Sequence, residues 1–366
     1  MRIGINATSF PDRPSGARQR LVGLYGALFR ARPDNDYLIY EPRDCRVASW
    51  FDGLANVRGI VTPMAADDRR QRLLAGVGYW RRRLADDRLD LFEALHLPLI
   101  RAPHCPTLLT VHDARPVSRD VHSARRLLNR AVLKWSLRNA DLVVTVSDTM
   151  RHELQRIEPA ATIATLFNGI DPAPFEQASA ASAMPGLPAD FLLAVGHFEP
   201  RKNYQHLLEA MALLGRSHPD MGLVIVGKDG GSLDVTREAI DRLGLGERVT
   251  LLNAVDDAQL AQLYRTARML VFSSTYEGFG IPILEAMAAG CPLCLSDIPV
   301  FRELTEDQGV YFNPLDPAAM AEVIAGLLGR TRRQATLVAY GRRRIADFSF
   351  THLARQLNEL HTTILS

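Results

Sequence analysis

Apolar and polar positions along this chain follow two alternating patterns. Short apolar runs, of the kind that fill strands buried on both faces, are separated by longer segments whose apolar residues recur with helical period. A first series of strand-like runs opens with Arg2 to Asn6 and includes Tyr37 to Tyr40, Thr107 to Val111, Leu142 to Val146 and Ile163 to Phe167. A second series runs through Phe191 to Val195, Leu223 to Val226, Val249 to Leu252, Met269 to Phe272, Pro292 to Leu295 and Val310 to Phe312. Strand and helix in strict alternation predict an α/β protein with doubly wound parallel sheets.

Between the two series, Asp171 to Asp190 is rich in Pro, Ala, Ser and Gly and has no apolar period, as a linker would. The expected organisation is therefore a first domain over 1–175, a linker over 176–190 and a second domain over 191–345. A last segment over 346–366 carries Leu353, Leu357, Leu360 and Ile364 at helical spacing. It should form a helix that packs back towards the first domain. A length of 366 residues agrees with two domains, since one hydrophobic core rarely grows so large.

Composition narrows the function classes. With 47% hydrophobic and 23% charged residues, and no apolar run long enough to span a bilayer, the chain reads as a cytoplasmic globular protein. The start, MRIGINATSF, lacks the features of a secretory signal. A net charge of +2 argues against a dedicated nucleic-acid binder. The charge is locally uneven, however: Arg69, Arg70, Arg72, Arg81, Arg82 and Arg83 crowd a stretch that also holds Leu73, Leu74, Val77, Trp80 and Leu84. As a helix it would offer a basic amphipathic face to anionic lipid headgroups or a lipid diphosphate at the inner membrane face. The four cysteines make no disulfide framework, and Cys291 with Cys294 read as packing residues.

The residues that bear chemistry fall at predicted strand ends, where open α/β sheets bind ligands. Phe191 to Gly196 breaks into His197-Phe198-Glu199-Pro200-Arg201-Lys202-Asn203 before a helix. Two adjacent cations near a helix start favour an anion, and a diphosphate is the natural guest. Further on, Tyr276-Glu277-Gly278-Phe279-Gly280-Ile281-Pro282 forms a glycine-containing loop that opens a helix bearing Glu285. Gly278 and Gly280 allow close backbone approach. Carboxylates accept hydrogen bonds from vicinal hydroxyls, so one of Glu277 and Glu285 suits a sugar and the other a ribose. In the first half, Thr107 to Val111 ends in His112-Asp113, and Phe10 to Arg18 is a polar loop whose backbone suits a phosphate. Asp34-Asn35-Asp36 has the form of a metal-binding D-x-D but lies between a predicted helix and strand with no further ligands nearby; it reads as a turn.

Together these motifs resemble glycosyltransferase family 4 of the GT-B fold, in which two facing Rossmann-like domains flank a central cleft. The E-x7-E of that family is matched by Glu277 and Glu285, its R-K pair by Arg201 and Lys202, its His-Asp by His112 and Asp113, and its N-G-I-D by Asn168 to Asp171. The resemblance implies an acceptor-binding first domain, a second domain that binds the nucleotide-sugar donor, and a retaining, metal-independent transferase without a cofactor. It implies that Arg201 and Lys202 neutralise the departing diphosphate and that Glu277 contacts the transferred sugar. The backbone of Gly196, Gly278, Phe279, Gly280 and Ile281 would lie close to the donor. Glu285 would hold the ribose, His112 would support charge at the anomeric centre, and Gly16 would let the first loop close.

This chain departs from the pattern at two places. Ser15-Gly16-Ala17-Arg18 stands where many members have a glycine pair, which leaves Arg18, with Asp113, for acceptor contacts. His197 stands where many have arginine, which makes Arg201 the main guanidinium at the diphosphate. E-P-R-K-N with G-F-G-I-P resembles the members that build bacterial surface polysaccharides such as O-antigen and lipopolysaccharide, often with mannose. GDP-mannose is thus the favoured donor, ahead of UDP-hexoses and GDP- or dTDP-linked deoxysugars, and the favoured acceptor is a lipid-linked glycan. The competing readings are an inactive nucleotide-sugar binder on the same fold, a phosphorylase and a nucleotide-sugar epimerase.

Overall fold

A computed structural model describes residues 1–13, 16–68, 76–115, 123–177, 186–253 and 255–366. The chain divides into two compact units: Met1–Ile170 with Phe350–Ser366, and Asp171–Ser349.

The sheet of the first unit holds β1 (Arg2–Asn6), β2 (Asp36–Glu41), β3 (Val57–Val61), β4 (Leu91–Ala94), β5 (Thr107–Val111), β6 (Leu142–Thr145) and β7 (Ile163–Thr165). They lie in the order β3-β2-β1-β4-β5-β6-β7, and each neighbouring pair is parallel. The second unit is built from β8 (Phe191–Val195), β9 (Gly222–Val226), β10 (Val249–Leu252), β11 (Met269–Phe272), β12 (Leu293–Ser296) and β13 (Val310–Phe312). Their order is β10-β9-β8-β11-β12-β13, again all parallel. Strand order therefore reverses at β1/β4 in one sheet and at β8/β11 in the other. A reversal opens a crevice at the carboxyl ends, because the two following loops diverge to opposite faces of the sheet.

Apolar side chains on both faces account for the layering. The strand Gly222–Val226 (GLVIV) and the strand Thr107–Val111 (TLLTV) are buried at every position. Helices cover both faces, as continuous apolar strands require. One core gathers Ile3, Ile5, Leu24, Phe29, Tyr37 and Leu91; the other gathers Leu192, Leu208, Met211, Leu223, Met269 and Ile324. Helix starts are set by side-chain caps. Ser147 accepts from the Met150 amide, and Asp256 with Gln259 forms a reciprocal capping box.

The final helix, Phe350–Leu365, belongs to the first unit. Leu353, Ala354 and Leu357 are buried in that unit's core. The Phe350 ring lies so close to Gly23 and Gly169 that a Cβ at either would fall 2.2 or 2.5 Å from it. The unit boundary differs from the one expected. The helix Ala173–Gln177 packs in the second unit, with the Phe175 ring 6.0 Å from that of Tyr264 and the Arg265 guanidinium donating to the Glu176 carbonyl at 3.1 Å. Much of the expected linker, residues 178–185, lies outside the described residues.

The stretch expected to face a membrane needs correction in its described part. In the helix Gly76–Asp86, Trp80 and Leu84 are 2% and 3% exposed. Trp80 packs edge-on to Tyr40 at 5.2 Å, and Arg83 pairs with Asp87 at 2.7 Å. Trp80 and Leu84 are thus taken up by the core, while Arg81 and Arg82 are exposed together with Gly78, Ala85 and Asp86. Residues 69–75 lie outside the described residues. The D-x-D is a turn at the amino end of β2: Asp36 pairs with Arg2 and Arg58, and Asn35 is buried. Cys291 and Cys294 are buried, free thiols; burial pushes Cys291 up to about 12 and Cys294 higher still.

Candidate active site

In the second unit the chemistry gathers at the reversal between β8 and β11. Strand β8 ends at Val195 and is followed by Gly196, whose φ of +151° suits glycine alone. A Cβ there would meet the Lys202 Cε at 2.5 Å, so the missing side chain leaves the room in which Lys202 lies. The loop then makes a short 3-10 turn over Pro200–Lys202 and passes Asn203 at φ 59° into the helix Tyr204–Leu214. The Tyr204 hydroxyl donates back to the Gly196 carbonyl at 2.7 Å. Beside it, β11 leads into the second loop. The two loops are tied by the Ser273 hydroxyl donating to the Lys202 carbonyl at 2.7 Å and the Thr275 amide donating to the Arg201 carbonyl at 2.8 Å.

This lacing brings Arg201, Lys202 and Glu277 into one cluster. Lys202 Nζ donates to Glu277 Oε1 at 2.7 Å, the Arg201 guanidinium pairs with the same oxygen, and the Ser274 hydroxyl donates to it at 2.8 Å. Arg201 Nε also donates to Glu199 at 2.7 Å. Burial pushes the Glu277 carboxyl up, but Lys202 and Arg201 more than offset it and hold it below the usual carboxylate range. Burial lowers the Lys202 ammonium, against the pull of Glu277. Glu277 was expected to face a sugar; in the structure it is also the counterion of both cations. His197 donates nothing to this cluster: its Nδ1 accepts from the Lys228 amide, in the loop after β9, at 3.3 Å.

The second loop ends at Gly280, with φ +142°, and Ile281–Ala289 follows as a helix with Pro282 in its first turn. The buried Phe279 ring packs edge-on to Phe348 at 6.2 Å and anchors the loop from below. Gly278 and Ile281 stay partly accessible beside the cluster. Helix geometry carries Glu285 inward from there, and it is 7% exposed. The Tyr264 hydroxyl donates to its Oε2 at 2.7 Å. Burial pushes this carboxyl up to about 7, helped by Asp257 and opposed by the Tyr264 hydrogen bond.

In the first unit, His112 follows β5 and is partly buried. Burial, with the nearby Arg20 charge adding, pushes its imidazole down to about 3, so the ring is neutral at ordinary pH. Asp113 next to it accepts from the Arg115 amide at 3.1 Å in a local turn. Gly16 opens the helix Gly16–Arg20, while Pro14 and Ser15 lie outside the described residues. Arg18 pairs with Asp12 at 3.1 Å and lies over the Trp50 ring at 4.1 Å.

Sequence reasoning passed over Arg20. It is 7% exposed and donates at 2.8 Å both to the Phe167 carbonyl and to Asn168 Oδ1, in the N-G-I-D segment. The signal was present: Arg20, Leu24 and Leu28 are all buried at spacings of four, so a cation occupies an apolar-face position. Also unforeseen are Thr8 and His96 at the β1/β4 reversal, with Thr8 Oγ1 3.3 Å from His96 Nε2. Deeper in the unit, Glu93 lies between the Tyr25 hydroxyl and His361 Nε2, the latter 2.8 Å away.

Comparisons with known proteins bear on the family and the fold. Residues 28–174 match the model described as Glycosyltransferase Family 4, and residues 185–344 the one described as Glycosyl transferases group 1. The O-antigen chain mannosyltransferase RfbU of Salmonella typhimurium is 30% identical over 234 residues, 63% of this chain and 62% of that protein. The match thus spans less than two thirds of that relative's length. The phosphatidyl-myo-inositol mannosyltransferase of Mycobacterium tuberculosis is 30% identical over 286 residues, 75% of this chain and 74% of that protein. Among solved structures, sucrose-phosphate synthase from Thermosynechococcus elongatus superposes with a TM-score of 0.81 at 23% identity, covering 99% of this chain and 98% of that one. With both halves matched in sequence and both sheets wound in the same order, the chain belongs to glycosyltransferase family 4 and has the GT-B fold.

Proposed function

We propose that this protein is a retaining, metal-independent glycosyltransferase that moves a hexose, with mannose from GDP-mannose favoured, onto a lipid-linked glycan in surface-polysaccharide synthesis. The observation that carries this reading is the Arg201–Lys202–Glu277 cluster at the β8/β11 reversal. Two cations held by one carboxylate are a preformed anion site. An arriving diphosphate competes for Lys202 and Arg201, and Glu277 is released towards the hydroxyls of the sugar.

Charge builds on the departing diphosphate as the bond from C1 to the phosphate oxygen breaks. Fixed cations stabilise it without reorganising, which is the largest electrostatic contribution open to such a site. The bond from C1 to the acceptor oxygen forms on the same face of the sugar, and the acceptor proton passes to the phosphate oxygen. No protein base is assigned. A neutral His112 stabilises the anomeric centre as a dipole, and Glu285 accepts from the ribose. The mannosyltransferase names of the sequence relatives support the sugar. Among the described residues, no helix is long and apolar enough to cross a membrane, so contact with a lipid-linked acceptor would be peripheral.

Calorimetric titration with GDP, UDP, dTDP and ADP in the presence of EDTA tests the reading. Metal-free binding of GDP alone, followed by mannose transfer to a lipid-linked acceptor with retained anomeric configuration, is the expected result. Preference for UDP or dTDP would move the donor to a UDP-hexose or a deoxysugar nucleotide. Binding without transfer to any glycan would favour the inactive binder.

A further inference from the structure

We propose that the outer face of the helix Ser123–Asn139 is a docking surface for an anionic lipid bilayer. The helix connects β5 to β6 and reads SARRLLNRAVLKWSLRN, with five cations and no acidic residue. Its inner face is satisfied: Leu133 and Leu137 are buried, and Ser136 Oγ accepts from the Leu99 amide at 3.2 Å. Its outer face is unusual. Leu127, Leu128 and Trp135 are 66%, 65% and 51% exposed, while the other exposed large apolar side chains among the described residues are scattered singly over other elements. Isolated exposed apolar residues need no explanation, whereas three on one helix do.

Between them stand exposed Arg130, Lys134 and Arg138. Lys134 makes one long contact with Glu158 at 3.9 Å, and Arg130 and Arg138 form no ion pair among the described residues. Residues 127, 131, 134, 135 and 138 fall on one side of a helix of 3.6 residues per turn. An apolar ridge flanked by cations, with a tryptophan among them, matches the boundary between acyl chains and anionic headgroups. Nucleic acid would satisfy the cations but not the two leucines, and a protein groove would satisfy the leucines but not an all-cationic flank.

The topology gives this surface a purpose. Strand β5 runs out at His112, and the helix begins at the same end of the sheet before running back beside it. Leu127 and Leu128 lie in its first turns, so a bilayer bound there is held at the end of the sheet that carries His112. The surface stands on its own observations, and its test does not require turnover.

The whole protein is floated with vesicles of phosphatidylcholine alone, or of phosphatidylcholine with phosphatidylglycerol, and partition coefficients are measured. The protein should prefer the anionic vesicles, and added salt should weaken the association. Replacing Arg130, Lys134 and Arg138 with Ala should reduce it about a hundredfold, at roughly fivefold per cation near a membrane surface. Leu127→Ser with Leu128→Ser and Trp135→Ser should also abolish it, while Arg81→Ala with Arg82→Ala leaves most of it. Unchanged thermal unfolding and nucleotide binding would show that each variant is folded. Brominated lipid should quench tryptophan emission in the parent and not in Trp135→Phe. The proposal is overturned if the parent stays unbound, if both triple variants float like the parent, or if the face mediates only self-association or RNA binding.

Discussion

Lys202 and Glu277 are 75 positions apart in the chain and share a 2.7 Å hydrogen bond, because β8 and β11 are neighbours in the sheet. Neither side chain has much water around it, at 7% and 11% exposure. The cluster is therefore held together by its own opposite charges, largely out of water.

Removing one member should expose that dependence. Glu277→Ala leaves two cations facing each other and should destabilise the free protein by about 3 kcal/mol, the range for breaking a buried pair. Lys202→Ala with Glu277→Ala should recover part of the loss. Urea denaturation of both single variants and the double variant measures this; strictly additive losses would mean the pair is uncoupled. In the transfer assay Lys202→Ala should lower turnover about a hundredfold, in line with loss of one preorganised contact.

Gly196→Ala tests the same site without touching a charge. The new Cβ, at φ +151° and 2.5 Å from Lys202 Cε, must displace the lysine stem. Nucleotide affinity and turnover should both fall while circular dichroism stays unchanged. Normal kinetics would show that Lys202 has freedom the packing denies it.

Glu285 should make stability depend on pH in a defined direction. Its carboxyl lies at about 7 in the fold against 4.5 as the reference, so the folded chain holds a proton that the unfolded chain has lost. Stability is then highest below pH 4.5 as far as this group is concerned, and falls as pH rises towards 7. Glu285→Gln removes that loss and should be more stable than the parent at pH 8, by up to about 3 kcal/mol for a shift of this size. The two should converge near pH 4.5, and the variant should bind nucleotide less well. A stability difference that ignores pH would contradict the assignment.

His112 works in the opposite sense. Its folded value, about 3, is below the ordinary 6.5, so it supports folding above pH 6.5 and withdraws that support as pH falls towards 3. His112→Asn should resist acid better than the parent while turning over more slowly. The pH profile of the remaining activity between pH 5 and 8 should keep its shape, since a ring that is already neutral contributes no limb. A lost alkaline limb would identify His112 as a proton donor instead.

The parts of this protein that were legible in its sequence share a property: they are local. The strand at Phe191–Val195 and the loop that carries Arg201 and Lys202 could be read from a run of apolar residues followed by charge. The strands β3 and β4 could not. β3 (VRGIV) is partly exposed and has Arg58 and Gly59 at its centre, and β4 (LFEA) has four residues with Glu93 among them. The buried Glu93 accepts from the Tyr25 hydroxyl and lies beside His361, both from distant parts of the chain. Glu277 was legible as a site residue but not as a counterion, and Glu285 was legible without its Tyr264 partner, because both pairings depend on which elements lie side by side. In the described part of the basic stretch the same holds: Trp80 reads as amphipathic until Tyr40 and Phe92 are placed beside it.

The return of the last helix to the first unit imposes an order on synthesis. Leu353, Ala354 and Leu357 fill a core whose other members lie before residue 170. A nascent chain cannot close that core until residues 350–366 leave the ribosome, whereas Asp171–Ser349 already has all six strands of its own sheet by then. The unit made first is the last to be finished, and a chain stopped short of Phe350 releases a complete second unit attached to an open first one.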